Sequence, residues 1–121
     1  MTAEIIEVGA GIVTVRISGT LSQSALTDLQ KSSVDVIRAQ GKVRILVLAD
    51  QFAGWDSGGE WNDFSFQEEF DPCIEKMAIV GDTRWEDLTL IFVAKGLRRF
   101  PIEYFASGEQ GKALAWLEEA P

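Results

Sequence analysis

Apolar and polar residues alternate with two different periods along the chain, and the switches between them mark the elements. Glu4 to Val8 and Ile12 to Ser18 read as strands. In the second, Val13, Val15 and Ile17 fall on one face, and Ile12, Thr14, Arg16 and Ser18 on the other. Between them, Gly9-Ala10-Gly11 predicts a tight turn and an antiparallel hairpin, since glycine accepts positive φ. The period then lengthens. Thr20 to Gln40 is predicted helix, with Leu26, Leu29, Val36 and Ile37 along one face and Ser33 between them. Thr20 with Gln23 has the form of a capping box, and Gly41 closes the C-terminus.

Val43 to Ala49 is a near-continuous apolar run, the pattern of a strand buried on both faces. Gly54 to Gly59 is a glycine-rich loop. Ser57 with Glu60 forms a second capping box, opening a helix to about Phe70. Met77 to Val80 is a short strand ended by Gly81-Asp82. Thr83 with Glu86 forms a third box, for a helix that stops near Gly96, although its Leu90-Ile91-Phe92-Val93 stretch also fits a strand. Ile102 to Phe105 is the last strand. Ser107 with Gln110 precedes a final helix carrying Leu114 and Leu117.

The order is ββαβαβαβα. It predicts a single α/β domain over residues 1–121: a mixed, largely parallel sheet with an N-terminal antiparallel hairpin and flanking helices. Ligands and partners of such sheets meet the loops at the carboxyl ends of the parallel strands. Here those loops are Asp50 to Glu60 and Gly81 to Glu86.

Composition then narrows the chemistry. The 121 residues are 46% apolar and 25% charged, enough for one self-sufficient core. There is no histidine, which removes Ser-His-Asp and Cys-His triads, histidine zinc sites and histidine pH switches. The lone Cys73 allows neither an internal disulfide nor a cysteine metal cluster, so no metal and no cofactor is expected. The net charge of −8 opposes nucleic acid and anionic membrane surfaces. Eight carboxylates and no Lys or Arg lie between Asp50 and Glu75, a solvated face or a dock for a basic partner. No calcium-loop spacing accompanies them. The first residues lack a basic segment followed by an apolar run, and Ile45 to Ala49 is far too short to span a bilayer. A cytoplasmic, non-membrane-spanning protein is the expectation, in keeping with a free thiol.

Several segments together resemble a known family. They are Leu46-Val47-Leu48-Ala49-Asp50 through Gly54-Trp55, Phe70-Asp71, Ala78-Ile79-Val80-Gly81-Asp82 with Trp85, Tyr104-Phe105, and Ala113-Leu114-Ala115-Trp116-Leu117. In order and spacing they resemble the STAS superfamily of bacterial anti-sigma-factor antagonists, and more closely its SpoIIAA-like branch, which is grouped with CRAL-TRIO lipid-transfer domains. The resemblance implies a mixed sheet flanked by helices. It also implies a phosphoacceptor serine at the start of the helix after the buried strand, and Asp56-Ser57-Gly58-Gly59 is similar to that site.

Ser57 therefore has two readings. As a phosphoacceptor at a helix N-terminus, it would set a phosphate among Asp56, Glu60 and Asp63. As a plain N-cap, its oxygen accepts from the Glu60 N–H, contributing about 1 kcal/mol. Phe52, Trp55, Trp61, Phe64, Phe66 and Phe70 crowd nineteen residues, and Trp85 opens the next loop. Such a set serves as core, as a homodimer contact, or as an apolar pocket. Cys73, between Asp71 and Glu75, is a poor nucleophile. Asp50, Asp56 and Glu60, with Arg84 nearby, are the only material for acid–base catalysis, and nothing further indicates a reaction.

The functional expectation is a non-enzymatic binding or regulatory module. It would dock a protein partner through residues 50–70 and 83–85, using Trp55, Asp56, Trp61, Phe64, Phe70 and Trp85. The alternative is a small lipid or acyl carrier, with a closed cavity lined by Trp61, Phe64, Phe70 and Trp85. A carboxylate hydrolase is a remote third. A homodimer is expected through the aromatic surface or the Glu4 to Val8 edge.

Overall fold

The computed structural model describes residues 3–55, 70–93 and 100–119. Five strands form one sheet in the spatial order β1-β2-β3-β4-β5: β1 (Ala3–Gly9), β2 (Ile12–Leu21), β3 (Val43–Trp55), β4 (Ile74–Gly81) and β5 (Ile102–Ala106). β1 pairs antiparallel with β2, and every later pairing is parallel. The expected mixed sheet with an N-terminal hairpin is what forms. Its turn holds Ala10 and Gly11 at φ of 53° and 77°, the left-handed pair that matches strand twist in a two-residue loop. A bulge at Ile6 interrupts the exposed edge of β1.

Among the described residues three helices flank the sheet: α1 (Gln23–Gln40), α2 (Glu86–Phe92) and α3 (Gln110–Glu118). The alternation of each strand divides the core in two. Val13, Val15, Val43 and Ile79 face α1, together with Leu29 and Ile37 from that helix. Leu46, Leu48, Ala78 and Val80 face α3, which sets Ala113 and Leu117 against them. The apolar run read in β3 is therefore buried on both faces.

Four boundaries differ from the sequence pattern. β2 runs on to Leu21, so Thr20 is strand, and Ser22 is the N-cap of α1, its Oγ accepting from Ala25 N at 3.1 Å. Asp50 to Trp55 continues β3 rather than forming a loop, because Leu21 pairs with Trp55 at the far end of β2. Asp82, not Thr83, caps the 3-10 turn before α2, accepting from Arg84 N at 3.0 Å, and α2 ends at Phe92. The Leu90 to Phe92 stretch is helical. Glu109 replaces Ser107 before α3, and its carboxylate accepts from Ala106 N at 3.0 Å. At the three helix starts the cap in use lies one or two residues from the expected box. The expected helix from Ser57 lies outside the described residues, except for Phe70, which has helical φ and ψ.

The C-terminus of α3 is held by cations from the sheet. Lys76, 4% exposed, donates from Nζ to Trp116 O at 2.7 Å and to Glu119 O at 2.9 Å, with the Trp116 ring 4.8 Å away. Arg44 donates to Leu117 O and, at 2.9 Å, to Glu119 O. The last carbonyls of a helix lack internal partners and carry negative potential, so buried cations belong there.

Candidate functional site

At the carboxyl ends of the central parallel strands four aromatic rings of the described residues meet. Phe52 and Trp55 come from the extension of β3, Trp85 from the turn after β4, and Phe92 from the end of α2. Phe52 meets Trp55 and Trp85 edge-on, with centroids 4.9 Å and 5.3 Å apart. Trp55 stands 6.1 Å from Trp85 and 5.2 Å from Phe92. Edge-to-face contact sets the positive rim of one ring on the negative face of another.

Two glycines let these pieces close. Gly54 sits at φ 110°, and a Cβ there would lie 3.2 Å from Trp85 Cη2, so the indole rests directly on the β3 backbone. A Cβ at Gly81 would lie 2.8 Å from Tyr104 Oη and 3.0 Å from Ala49 O. That space admits Tyr104, whose hydroxyl donates to Asp82 O at 2.8 Å and anchors the β4–α2 turn. Burial first, then the charges of Glu86, Asp82 and Asp50, push the Tyr104 hydroxyl up to about 12. The strand ends therefore lie in a negative field.

Beneath the rings, between α1 and the sheet, lies a cavity of about 170 Å³. Leu26, Leu29 and Ile37 wall it on the α1 side and Val15, Val47 and Ile79 on the sheet side, while Phe52, Trp55 and Phe92 form its aromatic end. Its polar lining among the described residues is Gln30, Ser33 and Thr89. The Ser33 hydroxyl donates back to Leu29 O at 2.8 Å. The indole Nε1 atoms of Trp55 and Trp85 are buried and find no acceptor among the described residues. A buried donor left unpaired costs about 1–3 kcal/mol.

Of the site residues expected from sequence, Trp55 and Trp85 come together in the ring cluster, and Trp55 lines the cavity. Trp85 packs behind Phe52 and Trp55 and does not line it. Phe70 is buried in the same core, with the Arg38 guanidinium 5.9 Å from its centroid, away from the cavity wall. Asp56, Ser57, Trp61 and Phe64 lie outside the described residues, as do the carboxylates Asp56 and Glu60 of the hydrolase reading. Asp50 is exposed. Sequence reasoning passed over Phe92, whose place at the cavity depends on α2 folding back over the sheet. It also treated the α1 face as ordinary core, although Ser33 in that apolar stripe was a visible signal.

None of the described helices is long and apolar enough to cross a membrane. No curated protein matches the sequence. The fold is similar to the crystal structure of an uncharacterised protein of the DUF3478 family from Shewanella loihica PV-4, itself described as having a SpoIIAA-like fold. The two share 17% identity with a TM-score of 0.72, over 95% of this chain and 93% of that one. A sequence profile described as SpoIIAA-like matches residues 12–118, from the second strand of the hairpin to the end of α3, and on that match the chain belongs to the SpoIIAA-like family.

Proposed function

We propose that this protein is a non-enzymatic binding module whose occupant is a small apolar molecule held between α1 and the sheet. The observation that carries the reading is the cavity of about 170 Å³, walled by aliphatic and aromatic side chains where a doubly covered sheet would normally be filled. The cavity is partly open to solvent, so a small apolar molecule can reach its walls. Its aromatic end supports it too, since Phe52 and Trp55 stand at the carboxyl end of β3. The volume lies below the about 300–1,000 Å³ of pockets for drug-sized ligands and suits one ring or a short branched chain. Native mass spectrometry tests this. Mass beyond the bare chain that disappears on denaturation is the expected result. A bare chain that also shows no thermal shift with any of a panel of small apolar compounds overturns it.

A second reading, docking of a protein partner, draws on α2. Leu88 and Ile91 are exposed there, 53% and 74%, beside the turn that carries Trp85. Asp82, Glu86 and Asp87 flank them and suit a basic partner. Under this reading Ser57→Asp weakens docking, and a variant that binds its partner as tightly as wild type removes Ser57 as a switch.

A further inference from the structure

α2 has a face that the cavity does not use, and the inference drawn from it rests on the partner-docking reading above. Thr89 and Phe92 line the cavity, while Leu88 and Ile91, three residues apart and so on one face, stand 53% and 74% exposed. They are two of the four large apolar side chains exposed among the described residues, the other two lying on β1. Single exposed apolar residues are ordinary, but a pair sharing one helix face forms a ridge. Its border is acidic. Asp87 is exposed four residues before Ile91, and Asp82 and Glu86 lie in the turn that leads into the helix. Arg84 is the one cation in the segment 82–93, and Asp82 holds it at 3.6 Å. Glu86 and Asp87 form no ion pair among the described residues. Burial, and then the charges of Glu86, Asp82 and Asp50, raise the Tyr104 hydroxyl, a sign that the field at this end of the sheet is negative.

These features sort the candidate occupants. A second copy of the chain fits poorly. A two-fold contact would set Glu86 and Asp87 against their own copies, with each chain at a net charge of −8. Two aliphatic side chains also fall far short of the roughly 800 Å² that each partner gives to a stable dimer. An anionic membrane surface is repelled by the same charge. α2 offers no strand edge, so a partner cannot add to it by main-chain pairing and must satisfy its own backbone. A helix does so, and can lay an apolar stripe of its own across Leu88 and Ile91. We infer that the Leu88 and Ile91 ridge docks a basic amphipathic helix of another protein, whose apolar residues at i and i+3 or i+4 cover the ridge while flanking Lys or Arg meet Glu86 and Asp87. α2 has 7 residues, about 10 Å of helix, so the contact spans about two turns and belongs with small, transient interfaces. Apolar contact supplies the anchor, and the carboxylates choose the sign of the partner.

The test uses the full chain, with labelled Leu and Ile methyl groups, and three peptides of about 18 residues, long enough to form a helix. One carries Leu and Lys at helical spacing. One has the same composition with the spacing broken. One keeps the spacing with Glu in place of Lys. The first should shift the Leu88 and Ile91 methyl signals and bind at least about tenfold more tightly than the second. Its affinity should fall as salt is added, and the Glu peptide should not bind. Leu88→Ser combined with Ile91→Ser should weaken the first peptide at least about tenfold, in a protein that keeps its fold because both residues are exposed; an undiminished affinity would overturn the inference. So would α2 methyl shifts of equal strength from the second peptide, which mean charge alone, or from the Glu peptide, which mean apolar contact alone. Methyl shifts on dilution of the protein without peptide would assign the ridge to a second copy and overturn it as well. α2 methyl signals unmoved by all three peptides would overturn the partner-docking reading itself. The comparison of peptides on the wild type needs no variant, so it separates these outcomes by itself.

Discussion

Lys76→Met isolates the contribution of a buried cation to the docking of α3. The substitution keeps an unbranched apolar stem and removes the ammonium that donates to Trp116 O and Glu119 O. Hydrogen bonds to a charged group contribute about 1.5–3 kcal/mol each, and the contact with the Trp116 ring adds about 0.5–2 kcal/mol. Three features lower that sum. Trp116 O keeps a second donor, Glu119 N at 3.3 Å. Glu119 O keeps the Arg44 guanidinium at 2.9 Å. Methionine also relieves the ammonium's desolvation, itself several kcal/mol for a side chain buried this deeply. The expected net loss is about 2 kcal/mol. In urea the unfolding midpoint should fall by about 1 M, and the melting temperature by about 8 °C for a chain of this length. Lys112→Met is the control, because its pair with Glu109 is a surface i,i+3 contact and its loss should barely move the midpoint. A Lys76→Met midpoint at or above that of the wild type would mean that relief of desolvation outweighs the lost bonds, and would refute a stabilising role for the ammonium.

Other expectations concern caps, close approaches and titration. Ser22→Ala should cost about 1 kcal/mol in urea unfolding, since it removes the N-cap of α1, whereas exposed Thr20→Ala should stay within about 0.5 kcal/mol; equal effects would restore Thr20 as the cap. Gly54→Ala should cost about 1–3 kcal/mol through the positive φ, and should shift tryptophan fluorescence as the new Cβ displaces the Trp85 indole; an unshifted spectrum would place Trp85 elsewhere. Tyr104, the single tyrosine, should ionise near pH 12 in the folded protein, read as phenolate absorbance. Its folded value lies above its unfolded one. Its contribution to stability is therefore complete below about pH 10 and is lost as pH rises from there through about 12. A midpoint near 10 in the folded state would show that neither burial nor the surrounding carboxylates act on it.

The hairpin, the long first helix, the doubly buried third strand and the strand–helix alternation from β4 onward were legible in the order of residues. Each is written in a local period, and the largely parallel sheet follows because a strand–helix–strand unit has few ways to pack. The zero histidine count and the acidic charge also restricted the chemistry before any fold was known. Features that depend on distant pairs had to wait for the folded chain. β3 runs through Asp50 to Trp55 because Leu21 is there to pair with it, which turned an expected loop into a platform for Phe52 and Trp55. Four capping boxes were legible as patterns, yet the caps in use beside α1, α2 and α3 are Ser22, Asp82 and Glu109, since strand ends fix where each helix is free to begin. Lys76 and Arg44 carried no mark of their role in the sequence, because the carbonyls they meet belong to α3, forty and seventy-three residues onward. Among the expected site residues, aromatic character singled out Trp55 and Trp85, which stand 6.1 Å apart in the ring cluster. It could not reveal that the rings at the cavity would be Phe52, Trp55 and Phe92, because a void exists only between elements, and its walls come from α1, the sheet and α2 at once.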